Sequence, residues 1–207
     1  MTKYIEKNSQ QLFLMIVIVI IGAFLTIKSE YFLTPSNLIN IADSCGYRLI
    51  MAVGMTFIMA SGVMDLSAGS TVSLAGVITA WMLHAGAGIP LSVVAGLLTG
   101  VTAGALNGLL IHYTKISFFI ITLAMSGMLR GISLIITGGR PITRFGAAFM
   151  TIGTGRLAGI QISVWIAVIL TLAAAVILNC TKWGSYIKTL GSNPEALQKC
   201  GIGIAGY

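Results

Sequence analysis

A chain of 207 residues with 8% charged and 57% apolar side chains and a mean hydropathy of +0.97 has far less charge than the roughly 25% of a water-soluble domain. That excludes a soluble globular domain and predicts an all-α, polytopic transmembrane helix bundle. The net charge of +7 is spread over tail and loops, which suits anionic headgroups and topology rather than nucleic acid.

In chain order, the polar tail Met1–Gln11 leads into a first apolar run, Leu12–Ile27. No small-residue cleavage site follows, so the run reads as an uncleaved span. It is rich in Ile, Val and Leu and lacks polar groups, as a peripheral, lipid-facing helix would. Lys28–Asn37 is an interfacial connection in which Pro35 disfavours helix at Thr34 and Ser36 or Asn37 can cap the next segment. Leu38–Ile50 mixes apolar residues with Asn40, Asp43 and Arg48 and reads as an amphipathic lead-in to span 2, which runs to about Val63. Asp43 and Arg48 are five apart, which is poor spacing for a helical pair.

The passage Leu49–Leu83 is too long for one crossing, which takes about 20 residues, and reads as two crossings back to back. Asp65 is its only acidic residue, and a carboxylate in hydrocarbon is costly unless it lies at a break, in a cavity or against protein. Ser61-Gly-Val-Met-Asp-Leu-Ser-Ala-Gly-Ser70 is therefore expected to be a reversal. Asp65, Ser67 and Ser70 are its cap formers, and Gly62 and Gly69 supply unusual dihedrals or close approach. A structural role for Asp65 stands beside a role in a substrate site.

Span 3 ends near His84, and Ala85–Pro90 is a short turn. Span 4, about Leu91–Ile111, carries Gly96, Gly100, Gly104 and Gly108 at fourfold spacing. Such a stripe lets a neighbouring backbone approach closely; the alternative is a substrate-lining groove. Asn107 on the same span can hydrogen-bond across helices. Span 5, Phe118–Thr137, contains Arg130, which either snorkels to an interface or pairs inside the bundle. His84 and His112 lie at span ends and read as interfacial.

Thr137–Pro141 is a turn by composition, and Ile142–Gln161 is expected to be an extramembrane loop with Arg140 just before it and Arg144 and Arg156 within it. Span 6, Ile162–Cys180, makes six crossings. In the polar stretch Thr181–Tyr207, Asn193 can cap a short helix with Pro194 at its first position, Glu195 in its first turn and Gly201 at its end. Six spans place both termini on one side. That side, with Lys3, Lys7, Lys115, Lys182, Lys188 and Lys199, is slightly the more basic and is assigned as cytoplasmic.

Chemistry is sparse. With five acidic residues and two histidines, general acid–base catalysis has few candidates, and no phosphate-binding loop G-x-x-x-x-G-K-[ST] is present. Cys45, Cys180 and Cys200 lack metal-ligand spacing. The expectation is a protein that is not an enzyme and has no metal site.

Ala52-Val-Gly-Met-Thr-Phe-Ile-Met-Ala-Ser-Gly-Val-Met-Asp-Leu-Ser-Ala-Gly-Ser70 resembles the signature of permeases of ribose/xylose/arabinose-type ABC sugar importers. Phe119-Ile-Ile-Thr-Leu, Leu129-Arg-Gly131, Gly139-Arg-Pro-Ile142, Gly191-Ser-Asn-Pro-Glu-Ala196 and Cys200-Gly-Ile202 echo the same family in the same order, from about Phe32 onward. The resemblance implies a single permease domain over residues 1–207, corresponding to the first two-thirds of a longer family domain. It implies alternating-access import of a sugar or related polar solute, without a cofactor in this chain; ATP is bound by a partner ATPase subunit. A second permease subunit, a periplasmic or extracellular sugar-binding protein and the lipid of a bacterial inner membrane complete the surroundings. The helix after Asn193, with Pro194, Glu195, Ala196 and Gly201, is implied to dock on the ATPase. Asp65, Ser67, Ser70, Asn107 and Arg130 are the pathway or central-helix candidates. Arg140, Arg144 and Arg156 either meet the binding protein or are solvated. Leu197-Gln198 departs from the family's usual second Ala and basic residue, and family members continue with further spans. A secondary transporter or channel and a non-functional truncated permease are the competing expectations; ion coupling would have only Asp65 to use.

Overall fold

The computed structural model describes residues 9–201. Most of the polar tail, including Lys3, Glu6 and Lys7, lies outside the described residues, as does Ile202 of the family resemblance. Helix α1 (Ser9–Lys28) has no buried residue. Helix α2 (Pro35–Ala60) joins the polar lead-in and span 2 into one 26-residue helix. Its cap is Thr34, whose side chain accepts from Asn37 N at 3.4 Å, rather than Ser36 or Asn37. Proline at the first helical position fixes φ there and leaves Thr34 extended, which aims its hydroxyl at the free N–H groups.

Helix α3 (Ala68–His84), α4 (Ile89–Thr114) and α5 (Phe118–Thr137) follow. Next come a short helix α6 (Ala147–Thr154), a two-stranded hairpin of β1 (Arg156–Leu157) and β2 (Ile160–Gln161), then α7 (Ile162–Cys180), α8 (Lys182–Ser192) and α9 (Pro194–Lys199). The expected loop 142–161 is thus partly ordered as helix and hairpin, turning through Ala158 and Gly159 at positive φ.

Among the described residues five helices, α1, α2, α4, α5 and α7, are long and apolar enough to cross a membrane. The expected count of six is corrected at α3, which has only 17 residues. At about 1.5 Å per residue it spans about 25 Å, less than the roughly 30 Å hydrocarbon thickness, because the broken segment 61–67 consumes its first turns. It nevertheless runs the same course as its neighbours. Its start lies by the Asp65 end of the bundle, and the Nε2–H of its last residue, His84, donates to Thr143 O at 2.8 Å beyond the far end of α5.

Two packing units make up the bundle. Leu74, Ala103, Met125 and Leu129, from α3, α4 and α5, form a buried cluster with Ile78 and Ile136 against it. Helix α2 packs on α7, where a Cβ on Gly46 would lie 3.1 Å from Val164 N. Helix α8 folds back onto both α7 and α2.

Candidate functional site

The site grows from the end of α2. Ser61 N bonds the carbonyls of Phe57 and Ile58, and the Ser61 hydroxyl donates to Ile58 O at 2.7 Å. Gly62 then adopts φ +84°, which a side-chain-bearing residue rarely accepts. The chain turns away and reaches Asp65, whose Oδ1 accepts from Ser67 N at 2.7 Å and from Ser67 Oγ at 2.6 Å. Ser67 occupies the N-cap position of α3 with helical backbone angles, φ −87° and ψ −9°, and makes no side-chain cap bond; its hydroxyl proton is committed to Asp65. Asp65, two residues upstream, holds the turn instead.

That commitment leaves Ser67 Oγ as an acceptor, and Asn107 Nδ2 on α4 donates to it at 2.7 Å. Ser67 is fully buried and Asn107 is 5% exposed. The order Asn107 to Ser67 to Asp65 thus ties the break to α4 by two directed bonds in a low-dielectric interior, where such chains are strong. Asn107 Oδ1 is buried without a hydrogen-bond partner. One α3 turn onward, Thr71 Oγ1 donates to Ser67 O at 3.0 Å. Ser70, expected as a cap former, instead shares a 2.8 Å bond with Ser126 of α5.

This network borders a cleft of about 800 Å³. Its walls include Ser61, Asp65, Asn107, His112, Tyr113 and Thr122, with Leu190 and Pro194 closing one side. Of the five pathway candidates, Asp65 and Asn107 line the cleft and Ser67 joins them. Ser70 links α3 to α5. Arg130 is exposed and does not reach the cleft.

The glycine stripe divides. A Cβ on Gly96 would overlap Thr79 Oγ1 and lie 2.9 Å from Ala75 O, so α3 and α4 touch there backbone to backbone. Gly100, Gly104 and Gly108 have nothing within 4 Å of that position, and Gly104 and Gly108 line the cleft. Within this chain the close approach is at Gly96, where the short α3 leans onto α4, while Gly104 and Gly108 line the cleft.

At the C-terminal end, Asn193 Oδ1 accepts from Ala196 N at 3.1 Å, Pro194 opens α9, Glu195 sits in its first turn, and Gly201 follows at φ +76°. Leu197, the departure from the family pattern, is 3% exposed and anchors α9. Sequence reasoning missed the contribution of His112, Tyr113, Thr122 and Leu190. None carries a local signal, since each is an ordinary span-end, span or helix residue until the fold brings it to the cleft.

At the opposite end, Asp43 pairs with Arg156, Oδ2 to Nη2 at 2.9 Å, and Asp43 Oδ1 accepts from Gln161 N at 3.0 Å. Arg156 is therefore a partner of α2 rather than a loose loop cation. Asp43 and Arg48 do not pair with each other, as their spacing suggested; Arg48 Nε donates to Tyr47 OH at 3.0 Å. Arg140 and Arg144 stay exposed. Among the described residues no group of three His, Cys, Asp or Glu converges, and Asp65 has no cation in ion-pair range. The arrangement offers an apolar-walled cleft with a few fixed polar groups, which suits passage of a small neutral polar solute.

Residues 37–207 match the family model described as the branched-chain amino acid transport system / permease component. Over 193 residues the chain is 36% identical to the ribose import permease protein RbsC of Haemophilus influenzae, covering 91% of this chain and 60% of the relative. It is 34% identical over 194 residues to RbsC of Escherichia coli K12, covering 92% and 60%. It is also 30% identical over 202 residues to the autoinducer 2 import system permease protein LsrC of Salmonella typhi, covering 98% and 58%. The chain thus spans about 60% of the length of the curated relatives it matches. No solved structure matches it.

Proposed function

Because the chain belongs to the permease-component family of branched-chain amino acid transport systems, we propose that it is the membrane-spanning permease subunit of an ABC importer for a sugar or related small polar solute. The single observation that carries this is the continuity of one structural unit. The Asp65 break, the cleft it borders and the Asn193-capped element that closes the cleft share residues and contacts. The relatives, named for ribose and autoinducer 2 import, support the solute class.

On this reading α8 and α9 face the cytoplasm and meet an ABC ATPase subunit, which binds the ATP; this chain holds no cofactor and performs no catalysis. The opposite end, with exposed Arg140 and Arg144 and the His84–Phe145 edge contact, faces a sugar-binding protein outside the inner membrane. A second permease subunit completes the pathway between the two. Solute moves by alternating access, the cleft opening to one side and then the other.

The test is co-purification from cells that also carry the neighbouring transport genes. Recovery of an ATPase subunit with the wild-type chain, lost when Asn193–Gly201 is replaced by a Gly/Ser segment, supports the assignment. Equal recovery with the replaced segment removes α9 from the docking surface, and no ATPase with either chain contradicts the proposal.

A further inference from the structure

The contact between the break and α8 is made by bare backbone on both sides. A Cβ on Gly191 would overlap Ala60 O, lie 2.8 Å from Gly62 N and lie 3.0 Å from Ser61 C. Conversely, a Cβ on Gly62 would lie 3.0 Å from Gly191 Cα and 3.2 Å from Gly191 O, and Gly62 is at φ +84°. In each direction the obstructing atoms are main chain, which cannot rotate aside as a side-chain tip can. Neither position tolerates a Cβ without separating the two segments.

The residues beside this contact are the walls of the cleft. Leu190 precedes Gly191, Pro194 opens α9 three residues later, and Ser61 and Asp65 flank Gly62; all four line the same cavity. From Asp65 the directed bonds run to Ser67 and on to Asn107 of α4. At the other end, buried Leu197 and the Asn193 cap fix α9 to the end of α8. A displacement of α9 therefore reaches the cleft wall through the backbone contact of Gly191 with Gly62 and the hydrogen bonds that follow it. Contiguous contacts of this kind can carry coupling between sites, and coupling has to be measured to be claimed.

We propose that Gly62 and Gly191 form a backbone joint through which movement of the α8–α9 element, imposed at the partner ATPase, shifts the Asp65 break and opens or closes the cleft. This rests on the permease reading given above. The joint transmits position; it binds neither solute nor nucleotide.

The experiment reconstitutes the chain with its ATPase, second permease subunit and sugar-binding protein in proteoliposomes and measures solute uptake and ATP hydrolysis together, with ribose as the probe. Gly191→Ala is expected to leave the ATPase bound and hydrolysing within about twofold of wild type while uptake per ATP falls about tenfold, the usual scale of a coupling between sites. Gly54→Ala, on α2 with nothing within 4 Å of its Cβ position, is expected to retain the wild-type ratio. A wild-type ratio in Gly191→Ala overturns the joint. A wild-type chain that shows no ATP-driven uptake overturns the permease reading itself and the joint with it.

Should Gly191→Ala lose the ATPase, thiol cross-linking decides. With Cys45, Cys180 and Cys200 replaced by serine, a short bifunctional reagent joins Ser61→Cys to Leu190→Cys beside the joint, or His112→Cys to Leu190→Cys across the cleft. Judged against the same double-cysteine protein before linking, segments that move as one tolerate the first link and are arrested by the second. Loss of uptake with the first link, or full uptake with the second, overturns the proposal.

Discussion

Asp43 and Asp65 sit near opposite ends of the bundle, and their surroundings teach different lessons. Asp43 has a 7% exposed side chain and binds a guanidinium and a backbone N–H, both from the hairpin after α6. Asp65 is half-buried, has no cation in ion-pair range among the described residues, and spends one oxygen on the N–H and O–H of a residue two positions on. The first carboxylate clamps an outer element onto a helix. The second shapes a local turn and, through Ser67 and Asn107, passes that shape to a neighbouring helix. A carboxylate in an apolar segment thus marks a need for compensation, and the compensating partner decides the role.

The largest effect is expected at Asp65. Asp65→Leu removes the acceptor for both Ser67 donors and leaves a buried N–H and hydroxyl to find other partners, at about 1–3 kcal/mol for each unsatisfied group. The break and the α3–α4 contact below it should then fail, read as loss of monodisperse protein in detergent. Asp65→Asn retains an acceptor oxygen and is expected to keep uptake within about threefold, since Asn serves the same turn chemistry as Asp. Abolished uptake in a well-assembled Asp65→Asn complex would show that the charge itself is used.

Next is the clamp. Arg156→Ala strands a buried carboxylate. Because the Arg156 side chain is 47% exposed, the expected loss is about 2 kcal/mol, below the range for fully buried pairs. The double variant Asp43→Asn with Arg156→Ala should be more stable than Arg156→Ala alone, because the unpaired charge is gone. A thermal melt of the set in one detergent checks the order.

A smaller contrast separates the glycines of α4. Gly96→Ala meets a backbone carbonyl and is expected to cost about 1–3 kcal/mol, as overpacking does, whereas Gly100→Ala should change stability by under about 0.5 kcal/mol. Asn193→Ala removes one cap bond at an exposed helix start, worth about 1 kcal/mol. Its readout is weaker retention of the ATPase subunit, with the melting of the bundle unchanged.

The regular elements were legible because their signals are local. Phe118–Thr137 and Ile162–Cys180 are bounded where apolar runs meet Ser117, Gly138, Gln161 and Thr181, and the structure keeps those bounds. The Asn193–Pro194 start of α9 was legible for the same reason, since a cap and its target lie three residues apart. What escaped was long-range. Arg156 and Asp43 are 113 residues apart, and composition alone made the arginine look like a loop charge. Helix α8 was hidden by Gly184 and Gly191, which weaken helix propensity; both are used where a Cβ would strike main-chain atoms of Leu178 or Ala60. The glycine stripe gave the right face of α4 but not its neighbours. Periodicity aligns residues along a helix and is silent on where a short partner helix will lie.

The most direct test of the account is uptake by proteoliposomes holding the wild-type complex, with ribose and a sugar-binding protein on one side and ATP on the other. Accumulation is expected to require ATP on the face where α8 and α9 lie and to disappear with a non-hydrolysable analogue. Uptake that proceeds without ATP and follows an imposed ion gradient instead would contradict it.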